Sequence, residues 1–228
     1  MSFEFLHDTF PVVLDTCVLF PATLRDTLLL AAESGLYQVH WSDETLVELR
    51  RSLIREIGMD DAKAENLVDI INGFFPEAGI QHWEDLAMVM KNNKKDRHVL
   101  AAAVKARAEV IVTENLRHFP KAALRGYRIE AQPPDKFLCS LLDLYPRPMM
   151  HVITRQAGEK DRPPMTVGDV LRRLTNSGAP VFAERVAQEL KSSAKRIRES
   201  EVVTVVPDAA EYTLAVRRKR PRTQQNPE

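Results

Sequence analysis

Two cysteines, Cys17 and Cys139, are too few for a disulfide framework and show no metal-ligand spacing. Free thiols fit a cytosolic protein. Nor is there an apolar run near the ~20 residues needed to cross a bilayer, so no membrane association is expected. The N-terminal stretch MSFEFLHDTF has acids and no basic run, unlike a signal peptide. No internal repeat is visible. Net charge is lacking as well: 32 Lys+Arg balance 32 Asp+Glu. The balance conceals a split. Residues 1–144 carry 16 basic and 22 acidic side chains, while 145–228 carry 16 and 10. An acidic body with a basic C-terminal part suits self-association or a polyanion on the tail side, although such charges also simply solvate two surfaces. The 228 residues, 44% of them apolar, allow one good domain with an extension, or two small domains.

What is present begins with Val12-Val13-Leu14-Asp15. Three apolar residues read as a strand buried on both faces, and it runs straight into a carboxylate. Asp15 is therefore expected at the carboxyl end of a central strand, where open α/β sheets place their ligands. Thr16–Pro21 reads as a loop, followed by a helix from Ala22 to Ser34 and a strand over Tyr37–Trp41. That is a βαβ unit, whose right-handed crossover makes its strands parallel. Ser42 looks like an N-cap for a helix running to about Gly58, with Asp43 and Glu44 in its first turn and Glu48 beside its apolar stripe. An amphipathic helix over Asp61–Phe75 ends at Pro76. A short strand is expected near Ile80–Trp83, and residues 84–93 are ambiguous.

Asp96 opens an alanine-rich, well-buried helix. Val110-Ile111-Val112 then repeats the opening pattern, an apolar strand ending in polar side chains, here Thr113-Glu114-Asn115. An edge strand over Tyr127–Ala131 and a helix over Asp135–Leu144 follow. Pro146 and Pro148 mark a boundary. Beyond it only helices are expected: about 148–157, Thr166–Asn176 with a capping box from Thr166 and Asp169, and Pro180–Arg198. Val202–Val206 reads as a strand or a loose apolar segment. The expected division is an α/β domain over 1–144, a helical extension over 145–215 and a basic, disordered tail over 216–228.

Asp15 and Asn115 should project from one sheet edge. Asp96 heads the helix leading into the second buried strand, and Glu48 lies on a helix that follows a third. Converging acids repel unless a cation is present, and carboxylate oxygens with water suit Mg²⁺ or Mn²⁺ better than zinc.

At these residues the chain resembles the PIN-domain nucleases, in particular the VapC-type toxins of bacterial toxin–antitoxin pairs. The likeness rests on VVLDTCVLFP from Val12, SDETLVELRRSL over 42–53, DRHVLAAAVKARAEVIVTEN over 96–115 and NLRHFP over 115–120. Each motif is weak alone; their order and spacing are specific. The resemblance implies a three-layer α/β/α fold with a central parallel sheet, here with a C-terminal helical extension. It implies an endoribonuclease using Mg²⁺ or Mn²⁺, with Asp15 and Asp96 as principal metal ligands, Glu48 as a direct or water-mediated ligand, and Thr113 orienting the cluster. Asn115 stands where many relatives have Asp; it adds no charge, which argues against a tightly held second ion. Lys94, Lys95, Arg97 and Arg117 are candidates to hold the RNA backbone, and His118 to stack on a base. A cognate antitoxin, an RNA substrate and a homodimer are the implied partners. The helices after 148 would cover a partner surface, support dimerisation or contact RNA.

Each residue also has a plainer interpretation. Asp15 could cap a strand end and Asp96 a helix, and a helical Glu such as Glu48 is common. Glu44 suits the helix dipole. Cys17 lacks a base partner and reads as a core thiol. His98 reads as a packed or surface histidine. Two other functions compete with the nuclease. A catalytically inactive PIN-like module that binds RNA or protein draws its support from Asn115. A phosphohydrolase or phosphotransferase working through an aspartyl phosphate needs a second Asp two residues after the first, where this chain has Cys17, or a Thr and Lys at later strand ends, and no suitable Lys follows a strand.

Overall fold

The structure is a computed structural model that describes residues 9–159 and 164–203. The expected basic tail, and the apolar stretch beyond Val203, lie outside the described residues. Met1–Ala187 forms one compact unit and Gln188–Glu228 a second.

The chain runs β1 (Pro11–Leu14), α1 (Thr16–Leu19), α2 (Ala22–Glu33), β2 (Gln38–Ser42), α3 (Asp43–Ile57), α4 (Asp61–Phe74), β3 (Gly79–Ile80) and α5 (Glu84–Val89). A single 3-10 turn, Lys94–Asp96, leads into α6 (Arg97–Lys105), then β4 (Val110–Val112), α7 (Lys121–Leu124) and β5 (Glu130–Gln132). The last helices are α8 (Pro134–Leu144), α9 (Pro146–Gly158), α10 (Val167–Asn176) and α11 (Pro180–Val203). All strand pairs are parallel, in the order β3-β2-β1-β4-β5. The chain builds outward from β1 to β3, then crosses to the other side of β1 to lay down β4 and β5. The gap between the carboxyl ends of β1 and β4 is thus the switch point, where two successive connections leave in opposite directions and a crevice opens.

Burial explains the sheet. Val13 and Ile111 pack into a cluster with Val99, Leu100 and Ala103 of α6. Strand alternation sends Val12, Leu14 and Val112 to the opposite face, and these too are fully buried. Both faces are therefore covered, as an all-parallel sheet requires.

Thr16–Leu19, expected as loop, is one helical turn. Val18 and Leu19 are buried there, and the buried Arg25 donates from Nη1 to the Leu19 carbonyl at 2.9 Å. The edge strand starts at Glu130 rather than Tyr127, because Arg125–Tyr127 forms a 3-10 turn and Arg128 adopts a left-handed conformation, φ 60°. Pro146 begins α9, two residues before the start expected near 148: at the first turn of a helix its missing N–H costs nothing.

Helices α9 and α10 pack on the body, both touching α2. Thr27 of α2 donates to Gln156 Oε1 at 2.7 Å, and Gln156 Nε2 donates to the Thr23 carbonyl at 2.9 Å, all in buried surroundings. Asp135 of α8 accepts from the backbone N–H groups of Val181 and Phe182, satisfying the start of α11.

Candidate active site

Register brings the first pair together. Leu14 and Val112 are partners across β1 and β4, so Asp15 and Thr113 leave the sheet side by side. The buried Thr113 Oγ1 donates to Asp15 Oδ2 at 2.6 Å, and Cys17 Sγ lies 3.3 Å from the same oxygen. Asp15 is 3% exposed and sits at the N-cap of α1, yet its side chain makes no capping bond. The plain capping role is therefore excluded: the carboxylate points to the crevice.

Asp96 behaves the same way. It holds the N-cap of α6 without a side-chain cap. Its turn is pinned by Asn92, whose Nδ2 donates to the Asp96 carbonyl at 2.9 Å, and by Asn93, whose N–H donates to the His118 carbonyl. His118 Nδ1 lies 3.0 Å from Asp96 Oδ2, but out of hydrogen-bond alignment, so this buried oxygen has no hydrogen-bond partner. Burial pushes the Asp96 carboxyl up, and the Asp15 charge pushes it further; His118 and His98 pull the other way. Asp96 thus feels Asp15 across the crevice, and also Glu48.

Glu48 arrives from α3, whose start is fixed by Ser42 accepting from the Thr45 N–H at 3.2 Å. Thr16 Oγ1 donates to Glu48 Oε2 at 2.7 Å, and His98 Nε2 lies 3.7 Å from Oε1. Burial pushes Glu48 up, but His98 and Thr16 outweigh it and leave the carboxyl below its ordinary range. The buried His98 is itself held by Ser42 Oγ at 2.6 Å from Nδ1. This Ser42–His98–Glu48 connection, and Thr16 as a partner of Glu48, were not legible in the sequence, because they join residues 32 and 56 positions apart.

The remaining candidates divide. Asn115 donates its N–H to Thr113 Oγ1 at 2.9 Å, and its side chain makes no capping bond. Glu114 turns away from the crevice toward Gly178, where a Cβ would meet Glu114 Oε1 at 2.1 Å, and toward Asp135. With φ +90° at that turn, position 178 favours glycine. Lys94, Lys95 and Arg97 line a hollow that also includes Glu48 and His98. Arg117 does not line it; its Nε lies 3.3 Å from His118 Nε2.

Cys17 is a supporting thiol. Burial and the Asp15 charge push it up to about 12, so the thiolate is scarce at neutral pH. Relative to an ordinary thiol near 8.5, the thiolate fraction is lower by about three orders of magnitude. Iodoacetamide at pH 8 should therefore leave Cys17 essentially unlabelled while modifying a free-cysteine control. Rapid labelling seen by mass spectrometry would contradict this environment.

The donors suit a hard divalent cation. Among the described residues no group of three or more His, Cys, Asp or Glu side chains is drawn together closely enough to hold an ion. Mg²⁺, however, is commonly held by one or two carboxylates with several waters, and Asp15 and Asp96 are two carboxylates near enough for the charge of one to act on the other. The unpartnered, buried Asp96 oxygen and the mutual repulsion of the two acids are what a cation would relieve.

Residues 11–117 match the PIN domain family, and residues 134–188 match the VapC50 C-terminal domain. A Mycobacterium tuberculosis protein named "Putative ribonuclease VapC50" is 45% identical over 112 residues, which cover 49% of this chain and 66% of that relative. The match thus spans just under two thirds of the relative's length. The chain thus carries a PIN-like segment over 11–117 and, after it, a segment like the VapC50 C-terminal domain over 134–188.

Proposed function

We propose that the protein is a metal-dependent endoribonuclease, the toxin of a type II toxin–antitoxin pair, acting on RNA in the cytoplasm. The observation that supports this is that the Asp15 charge acts on Asp96, each residue at a capping position and neither capping. Asp15 and Asp96 hold the ion, Mg²⁺ or Mn²⁺. Glu48 contributes directly or through water, and Asn115 offers a neutral oxygen. When bound, the ion makes water nucleophilic near neutral pH and polarises the phosphoryl group. Thr113 fixes the Asp15 carboxylate, while Thr16 and His98 fix Glu48. Lys94, Lys95, Arg97 and Arg117 hold the phosphate backbone in register. A cognate antitoxin and a second copy of the chain are the expected protein partners. The functional division is expected near residue 145, between the body with the acids and the helical extension.

The test is cleavage of RNA by the full chain in Mg²⁺ or Mn²⁺ against EDTA, with Asp15→Asn as the control. Asp15→Asn should lower the rate by at least about 10²-fold, the scale of losing a charge-stabilising group. Metal-independent cleavage, or an active Asp15→Asn protein, would remove the proposal. One observation favours a second possibility, a PIN-like module that binds RNA without cutting it: Asn115 supplies no charge, and among the described residues no three-ligand group is preassembled. RNA binding with no cleavage in either metal would establish that alternative.

A further inference from the structure

The bend Thr113–Asn115 has two sides. On the crevice side Thr113 Oγ1 donates to Asp15 Oδ2, the Asn115 N–H donates to Thr113 Oγ1 at 2.9 Å, and the Glu114 N–H donates to Cys17 Sγ at 3.3 Å. Cys17 in turn lies against both Asp15 and Thr113. The outer side meets the helical extension. There the Glu114 carboxylate lies over Gly178, in the turn between α10 and α11, so close that a Cβ at 178 would overlap it. This turn is anchored. Leu174, Ala179 and Phe182 around it are fully buried, the Ala179 N–H donates to the Leu174 carbonyl at 2.9 Å, and Asp135 holds the first N–H groups of α11. The seat does not serve stability, because burial and the Asp135 charge both oppose an ionised Glu114. An acid kept in an unfavourable place next to a candidate metal site points to a role in that site.

We infer that Glu114 is a positioning residue: seated on Gly178, it lets the helical extension fix the bend that carries Thr113 and Asn115 and, through Thr113 and Cys17, the orientation of Asp15. The inference rests on the ribonuclease proposal and deepens it, because it makes the extension part of what sets the geometry of the metal ligands. Groups that orient a metal ligand from behind matter nearly as much as the ligand, and losing one lowers metal affinity or activity about 10–100-fold. Glu114 acts on the ligands and not on RNA, so the effect belongs to metal binding and turnover rather than to RNA affinity.

The experiment measures Mn²⁺ binding to the full chain by calorimetry without RNA, and kcat and KM for RNA cleavage in Mn²⁺ on the same proteins. Glu114→Ala, at an exposed position, should fold normally, weaken Mn²⁺ binding and lower kcat, each about tenfold. Its KM for RNA and its melting temperature in EDTA should stay at the wild-type values. Glu114→Gln, which keeps the side chain's length and drops its charge, should bring Mn²⁺ affinity and kcat back to wild type. Gly178→Ala, whose Cβ displaces Glu114, should reproduce the loss of Mn²⁺ affinity, and the double variant should bind the ion no worse than Glu114→Ala alone. A Glu114→Ala protein within twofold of wild type in both Mn²⁺ affinity and kcat would overturn the inference even if the wild type cuts RNA. So would a Glu114→Gln protein as impaired as Glu114→Ala, which would assign the effect to charge. Additive losses in the double variant would separate Glu114 from the extension, and a parallel drop in melting temperature would reduce it to a structural contact; either result overturns the inference too. If the wild-type chain neither binds Mn²⁺ nor cuts RNA, the ribonuclease proposal fails and this role with it.

Discussion

Asp96→Asn is expected to stabilise the metal-free protein while abolishing metal-dependent cleavage of RNA. The two effects share one cause. In the folded chain the Asp96 carboxyl is raised by burial and by the Asp15 charge, so its ionised form is unfavourable. A carboxyl with a raised folded pKa gives stability that is present below its ordinary value and is lost as pH rises through the raised one. At neutral pH the ionised Asp96 is therefore a destabilising element. Asn keeps the shape and removes the charge. In EDTA the midpoint of thermal unfolding should rise by about 2–4 °C, the scale of 1 kcal/mol in a protein of this size. The gain should shrink as pH falls toward the acid range, where Asp96 is already protonated. Cleavage in Mg²⁺ should fall by at least about 10²-fold. Thermal melts in EDTA with and without added Mn²⁺ provide the check: the ion should stabilise wild type and leave the variant nearly unmoved. A variant that melts lower than wild type in EDTA would show that Asp96 is a structural anchor.

Ending the chain after Leu144 is expected to unfold the PIN body rather than release an active nuclease. Met149, Val152 and Ile153 of α9 are buried, and burying each such side chain is worth about 1.5–3 kcal/mol. Together they represent at least about 5 kcal/mol before chain entropy, comparable with the whole stability of a typical domain, about 5–15 kcal/mol. The cut would also remove the Gln156 amide, which meets the buried Thr27 hydroxyl at 2.7 Å and the Thr23 carbonyl at 2.9 Å. Circular dichroism and limited proteolysis of the truncated chain should show a loosened body. A milder form of the same result is Gln156→Ala, which removes two buried hydrogen bonds, each worth about 0.5–1.5 kcal/mol, while Thr27 keeps its bond to the Thr23 carbonyl. A truncated protein melting at the wild-type temperature would mean that α9 is only appended. The extension thus has an intramolecular task before any partner is considered: its apolar stripe is already spent on α2 and α8.

The carboxyl-terminal placement of Asp15 was legible in the sequence, because an apolar β-branched run that stops in a carboxylate fits a buried strand only if the acid stands at its open end. So was the likeness of Val110–Val112 to that run, and with it the parallel sheet. Helix starts marked by Ser42 and Thr166 were readable from local chemistry, and both caps form as their spacing implies. The start of α9 two residues earlier than expected has an equally local reason: proline ends helices and also begins them, and only the chain beyond it decides which. The short helix at Thr16 and the two-residue β3 were missed or overextended because neither has enough residues to show a period.

The sequence by itself determined which side chains are available for chemistry, and that Asp15 lies at a strand end and Asp96 at a helix start. Those are consequences of hydrophobic periodicity and capping, which act over a few residues. Tertiary structure alone decided how each acid is held. Asp15 takes Thr113 because of a strand register, Glu48 takes Thr16 and His98 because α1, α3 and α6 converge, and Asp96 is left with an unpartnered oxygen. Hydrogen bonds and charge repulsion depend on distance in space, and nothing in the order of residues along the chain encodes that distance directly.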